Sequence, residues 1–235
     1  MTPKTIRRIS RLHKLLALLI GLPLLFWVSS GFYFTLFPIE EIRGEHLRAP
    51  IDHGELDVAA ATVTLQEAAS IAGIAPESIE LKMFLGEPVW QIADTSQTML
   101  ISAATGDIRS PISKRDAMQI AEHGAPGLYA SDGNLFLMTQ APPREYGGRL
   151  PAWVFETATS RERIYIEAMT GDIRAIRTTE WRIFDILWRF HILDITGADD
   201  FGSWWLKLAA AIALFMVITG FLILAQRASR RKLLS

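Results

Sequence analysis

The chain has 235 residues, half of them hydrophobic, with 24 basic and 25 acidic side chains and no cysteine. The missing thiol excludes disulfides, thiolate-held metals, cysteine-ligated iron–sulfur clusters and c-type haem attachment. The net charge of −1 hides a dipolar layout. All 25 acidic but only 14 basic residues fall between positions 38 and 200, about −11 in that segment, which argues against nucleic-acid binding because that relies on neutralising phosphates.

Residues 1–14 form a basic segment carrying Lys4, Arg7, Arg8, Arg11 and Lys14. Residues 15–37 are uncharged and long enough for a transmembrane helix, which needs roughly 20 apolar residues. This run exceeds the 7 to 15 residues usual for the apolar core of a signal peptide, and no clear Ala-x-Ala site follows, so a retained anchor is expected. Ala17 and Gly21, four apart, and Ser29-Ser30-Gly31 offer small faces for helix contact. Residues 38–62 read as an extracytoplasmic linker. Within it His46 and His53 are seven apart, with Asp52 and Glu55 nearby; an ordinary polar segment and an adventitious metal site are the alternatives.

A near-exact echo marks the centre: Ala104-Thr105-Gly106-Asp107-Ile108-Arg109 returns as Met169-Thr170-Gly171-Asp172-Ile173-Arg174. Pro88-Val89-Trp90 likewise returns as Pro151-Ala152-Trp153. Residues 63–110 open with Thr64-Leu65-Gln66-Glu67, a capping box for a short helix, followed by strand candidates at 79–85, 89–93 and 98–103. Residues 111–178 repeat this order: Ser113 and Asp116 cap a helix, and strands are expected at 135–139, 153–157 and 163–168. The expected fold class is therefore a membrane-anchored α+β protein, with two transmembrane helices flanking duplicated units of one helix plus three antiparallel strands. Asp107, Arg109, Asp172 and Arg174 read mainly as turn and packing residues. Pro142 to Gly148 reads as an exposed, turn-rich insertion.

Residues 179–200 place Trp181, Phe184, Leu187, Trp188 and His191 at helical spacing, an amphipathic interfacial segment. Residues 201–226 form the second span. Residues 227–235 are a basic tail with Arg227, Arg230, Arg231 and Lys232. Basic residues at both outer ends favour cytoplasmic termini, with the central domain on the opposite side.

The two outer units resemble PepSY domains, whose helix–strand layout closes in a sequence like Thr-Gly-Asp-Ile. The whole chain resembles the PepSY-associated transmembrane family. The matching runs are Arg11-Leu12-His13-Lys14-Leu15-Leu16, Trp27-Val28-Ser29-Ser30-Gly31-Phe32, Trp188-Arg189-Phe190-His191-Ile192-Leu193 and Val217-Ile218-Thr219-Gly220-Phe221. The resemblance implies a bacterial inner-membrane protein with a periplasmic central domain. Larger members include haem-bearing reductases of ferric siderophores, with four or so spans where this chain has two. It implies haem as cofactor, with His13 and His191 as metal ligands and Arg11 and Lys14 beside the propionates.

Read from the residues alone, His13 is either a headgroup-boundary residue or an iron ligand. Roughly 20 helical residues cover some 30 Å, so His13 and His191 are expected near opposite faces. One iron cannot take both, and a homo-oligomer or another inner-membrane protein would complete each site. No nucleotide loop or nucleophile–base–acid set is present. Two functions compete: a haem-binding electron-transfer component linked to ferric-siderophore reduction, and a noncatalytic interaction or regulatory subunit of a larger membrane complex.

Overall fold

The computed structural model describes residues 3–129, 132–158, 161–194 and 202–232. In chain order these form helices α1 (Pro3–Leu36), α2 (Ile39–Ile42) and α3 (Leu65–Ala72), then strands β1 (Ser78–Phe84), β2 (Glu87–Ala93) and β3 (Thr98–Ser102). Helices α4 (Lys114–Gly124) and α5 (Pro126–Tyr129) follow, then strands β4 (Gly133–Met138), β5 (Ala152–Thr157), β6 (Arg163–Glu167) and β7 (Ile173–Arg177). Helices α6 (Thr179–His191) and α7 (Trp204–Lys232) close the chain. The fold is mixed α+β, with two long apolar helices and two antiparallel sheets. It divides into two compact units: a terminal unit of residues 1–38 and 183–235, and a central domain of residues 39–182.

In the terminal unit, α1 and α7 are long and apolar enough to cross a membrane. Helix α1 starts at Pro3, so the basic segment expected to precede the span is itself helical; Lys and Arg are good helix formers. A helix in the core of a water-soluble protein buries its large apolar side chains. Here Leu18 is 82% and Phe221 69% exposed, and such a continuous apolar surface requires lipid or protein cover. The two helices run antiparallel, as the pairing of His13 with Thr219 at one end and the shared wall of Trp27 and Leu206 near the other require. Residues 195–201, part of the stretch expected to lie between the interfacial segment and the second span, fall outside the described residues.

In the central domain the duplication extends to single hydrogen bonds. Thr64 caps α3 and Ser113 caps α4, each in a reciprocal capping box with Glu67 or Asp116. The indole of Trp90 donates to the Val63 carbonyl at 2.9 Å, and that of Trp153 to the Ile112 carbonyl at 3.0 Å. The Pro88 carbonyl accepts from Ala103 N–H, and the Pro151 carbonyl from Ala168 N–H. In the echoed turns, the Thr105 and Thr170 hydroxyls donate to Asp107 and Asp172, and the Gly106 and Gly171 N–H groups donate to the Ser102 and Glu167 carbonyls. Both glycines are left-handed, with φ of 82° and 79°.

One difference separates the copies. After the second echo the chain continues as β7, giving the sheet order β4-β5-β6-β7, whereas the first sheet stops at β1-β2-β3. The second unit thus has four strands where three were expected. The matching residues of the first copy make only an isolated bridge, Ile101 to Ile108. The expected linker is not plain either: it holds α2 and two single 3-10 turns, and Ile42 is buried.

Alternation along the strands sets the layers. Ile92 and Ile101 face α3 with Ala68, while Phe84, Val89 and Leu100 share a larger core with Ile120 of α4 and with Phe155, Ile164 and Ile166 of the second sheet. Neither unit closes a core of this size alone, which agrees with the difficulty small units have in burying surface. Ser110 ties the copies further, accepting from Leu100 N–H and donating to the Met169 carbonyl.

The opposite face of the second sheet is covered by the Pro142–Gly148 loop, which is exposed at Pro142, Arg144 and Gly147 as expected but turns Tyr146 inward. Tyr146 is buried and stacks on Tyr165 at 4.9 Å between ring centres. Glu145 accepts from Tyr165 at 2.7 Å, Arg182 at 2.8 Å and Arg163 at 3.1 Å. Burial alone would raise the Glu145 carboxyl, but the bonds from Arg182 and Tyr165 and the charges of Arg182 and Arg163 outweigh it, holding it below the ordinary 4.5.

The unfolded chain therefore protonates Glu145 first as pH falls. The stabilising contribution is present above about pH 4.5 and is lost as pH drops through the folded value. Glu145→Gln is expected to cost about 1–3 kcal/mol at neutral pH, the lower part of that range reflecting partial solvation of the arginines. It should also flatten the acid limb of stability, both readable from urea denaturation across pH.

Candidate functional site

The polar groups of the apolar helices converge on two histidines. His13, on the first turns of α1, places Nδ1 2.8 Å from the Thr219 hydroxyl of α7. His191, the last residue of α6, places Nδ1 2.9 Å from the Ser30 hydroxyl of α1. Each ring lies over the glycine that follows its hydroxyl partner. A Cβ built on Gly220 would stand 3.5 Å from His13 Cε1, and one on Gly31 would stand 3.4 Å from His191 Cε1. Alanine would touch the ring at van der Waals distance, and anything larger would displace it.

The hydroxyls have a second set of partners on their own helices. The Ser30 hydroxyl donates its one hydrogen to the Trp27 carbonyl at 3.0 Å. The Thr219 hydroxyl donates to the Phe215 and Met216 carbonyls at 2.9 and 3.1 Å. Such bonds back to the preceding turn are the usual state of Ser and Thr within a helix. When the hydroxyls keep these bonds to their own helix, they accept from the imidazoles at Nδ1, the arrangement that satisfies ring and carbonyl together. Nε2 of each ring then carries the lone pair, and the Trp27 carbonyl is a further neighbour of the His191 ring. An imidazole held through Nδ1–H with Nε2 open is the usual arrangement of a metal-ligating histidine; it is equally a proton acceptor.

The two surroundings differ. His191 sits among aromatic rings, 5.3 Å from Phe34 and 5.5 Å from Trp27 between centres. Phe34 also meets Phe184 and Trp188, so the face of α6 expected from helical spacing packs on α1. A cavity of about 90 Å³ beside His191 is walled by Ile20, Leu24, Trp27, Leu206 and Ala213. Two buried donors nearby, Trp27 Nε1 and Arg189 Nε, have no hydrogen-bond partner among the described residues. At the His13 end, Arg11 and Lys14 are exposed.

The other sequence candidates have structural employment. His53 Nδ1 accepts from Leu85 N–H at 3.2 Å, and its ring stacks on Phe84. Burial, with the charge of Lys82, holds it below the ordinary histidine value. His123 Nδ1 bonds the Gln119 carbonyl one turn back on α4. Arg109 reaches Glu87 and Asp116, and Arg174 pairs with buried Glu167. Among the described residues no group of three or more His, Asp or Glu side chains is arranged to hold a metal ion. Gly21 does not mark the helix contact, since a Cβ there would meet nothing within 4 Å. Ser30 and Thr219 escaped the sequence reading as histidine partners; their signal is the hydroxyl–glycine pair each belongs to.

Comparison with protein-family models, with curated proteins and with solved structures gives no match. The class stated by fold and site is an α+β protein with two helices able to cross a membrane and a histidine seat at each end of that helix pair.

Proposed function

We propose that the protein is an inner-membrane, PepSY-type electron-transfer component that binds haem through His13 and His191, linked to ferric-siderophore reduction. The observation that carries this reading is the pair of imidazoles, each held through Nδ1 by a hydroxyl of a facing helix. Ser30 lies 17 residues after His13 along α1, which separates the seats by about 25 Å, close to the thickness of the hydrocarbon core. Both termini are cytoplasmic in this reading, so the His13 seat serves the inner face and the His191 seat the outer.

The residues fit haem in part. Each seat supplies one nitrogen ligand, with Arg11 and Lys14 as cations at the inner seat and Arg189 at the outer. The cavity beside His191, at about 90 Å³, falls well short of the roughly 300 Å³ at which ligand-enclosing pockets begin. A porphyrin must therefore lie on the lipid-exposed flank of the helices, with a second copy of the chain providing the other histidine of each pair. Bound there, haem supplies a reversible one-electron carrier. The protein's part is to fix the imidazoles, place cations by the propionates and exclude water with the aromatic cluster around His191.

The alternative, a noncatalytic regulatory subunit docking through residues 144–149, draws less support now that Glu145 and Tyr146 are engaged within the domain. Purification in mild detergent followed by absorption spectroscopy separates the two. The haem reading expects a Soret band that shifts on reduction. A colourless protein with intact helices would favour the regulatory reading.

A further inference from the structure

Set side by side, the two histidine runs and the two hydroxyl–glycine runs are the same pair of motifs used twice. Arg11-Leu12-His13-Lys14-Leu15 matches Arg189-Phe190-His191-Ile192-Leu193 at arginine, histidine and leucine. Val28-Ser29-Ser30-Gly31-Phe32 matches Val217-Ile218-Thr219-Gly220-Phe221 at valine, hydroxyl, glycine and phenylalanine. In the first half the histidine precedes the glycine by 18 residues, and in the second by 29. The surplus falls where the second half breaks its helix, between the end of α6 at His191 and the start of α7 at Trp204.

The halves run in opposite directions, and each histidine lies not on its own half's glycine but on the other's: His13 on Thr219-Gly220, His191 on Ser30-Gly31. Exchange of this kind is what a two-fold axis crossing an antiparallel helix pair produces, the geometry of an inverted repeat. The match is incomplete: Trp27, four residues before Gly31, corresponds to Met216, so the aromatic wall belongs to the His191 seat alone.

We infer that the two ends of the chain are inverted copies of one histidine-bearing unit, and that Ser30 and Thr219 are positioning residues, each holding the other half's imidazole as the Nδ1–H tautomer with Nε2 open to a ligand. In both copies the hydroxyl acts identically, giving its hydrogen to its own helix and accepting from the ring. Each hydroxyl therefore sets which nitrogen is available at the opposite half's site, and the two sites are chemically equivalent at the ligating atom. Arg189 is the counterpart of Arg11, two residues before its histidine in each copy. The inference bears on the haem reading but does not depend on it, because the tautomer is a property of the cofactor-free protein.

The test is nitrogen NMR of the full chain, labelled with ¹⁵N-histidine, made in a haem-auxotrophic host without haem and reconstituted in lipid nanodiscs above the imidazole titration range. His13 and His191 are expected as Nδ1–H tautomers, the reverse of the preference of free histidine in water. Ser30→Ala should shift His191 alone towards the Nε2–H form, and Thr219→Val should shift His13 alone. Ser30→Thr and Thr219→Ser should retain the wild-type shifts. A wild-type ring protonated at Nε2 would overturn the inference without any variant. So would a Ser30→Ala spectrum in which His191 is unmoved or His13 moves instead. Haem content is then measured separately on protein grown with haem, so failure of the haem reading leaves the tautomer result standing, and the reverse.

Discussion

Gly171→Ala is expected to destabilise the central domain by about 2–5 kcal/mol, from about 1–2 for a side chain in the left-handed region and about 1–3 for overpacking a filled core. The backbone at Gly171 has φ of 79°, and a Cβ there would lie 2.5 Å from Phe84 Cε2 and 3.0 Å from Ile120 Cδ1. Those atoms belong to the core shared by both repeats, so neither can retreat without disturbing the other sheet. Gly106 is the control in the equivalent turn. Its φ is 82°, but a Cβ would meet the end of the Ile71 side chain at 3.2 Å and Val63 Cγ2 at an ordinary 3.8 Å. Gly106→Ala should cost about 1–2 kcal/mol, the backbone contribution alone. Hydrogen exchange of the β5 and β6 amides measures both; equal losses at the two glycines would contradict the shared-core account.

His13→Ala and His191→Ala are each expected to remove half of the bound haem, and the double variant all of it. The seats lie about 25 Å apart along α1, so neither imidazole can substitute for the other. Loss at His191 should also expose the remaining outer site to solvent, because Phe34, Trp27 and Trp188 close around that ring. Haem per chain, measured by absorption with helix content checked by circular dichroism, reads the effect. Unchanged haem content in both single variants would remove the two histidines from the ligand set.

The central domain was legible because its signals are local. A capping box needs residues three apart, and a left-handed turn needs a glycine at one position, so Thr64, Ser113, Gly106 and Gly171 announce themselves. The fourth strand, β7, was not legible. Ile173 pairs along the edge of β6 and the ladder runs on to Arg177, whereas Ile108 makes one bridge to the edge of β3 and the pairing stops there, a difference the echoed residues themselves do not carry. The role of Glu145 was hidden for the same reason. A charged residue between Pro143 and Gly147 reads as solvent-facing until Arg163, Tyr165 and Arg182 arrive from distant parts of the sequence.

The candidate site divides similarly. His13 and His191 stand out by residue type at the ends of apolar runs. What they touch depends on pairing across 206 and 161 residues. Small residues gave an ambiguous signal: Gly31 and Gly220 receive the imidazoles, whereas Gly21 faces open space. Spacing alone does not distinguish these cases, because lipid-facing and helix-facing positions are equally apolar when no water is present to enforce a polar face.

Native mass measurement of the protein in mild detergent tests the central proposal most directly. The expected result is two chains carrying two haems, falling to one haem per pair of chains on loss of either histidine. A single chain, or a pair of chains, with intact helices and no haem after growth with haem supplied would contradict it.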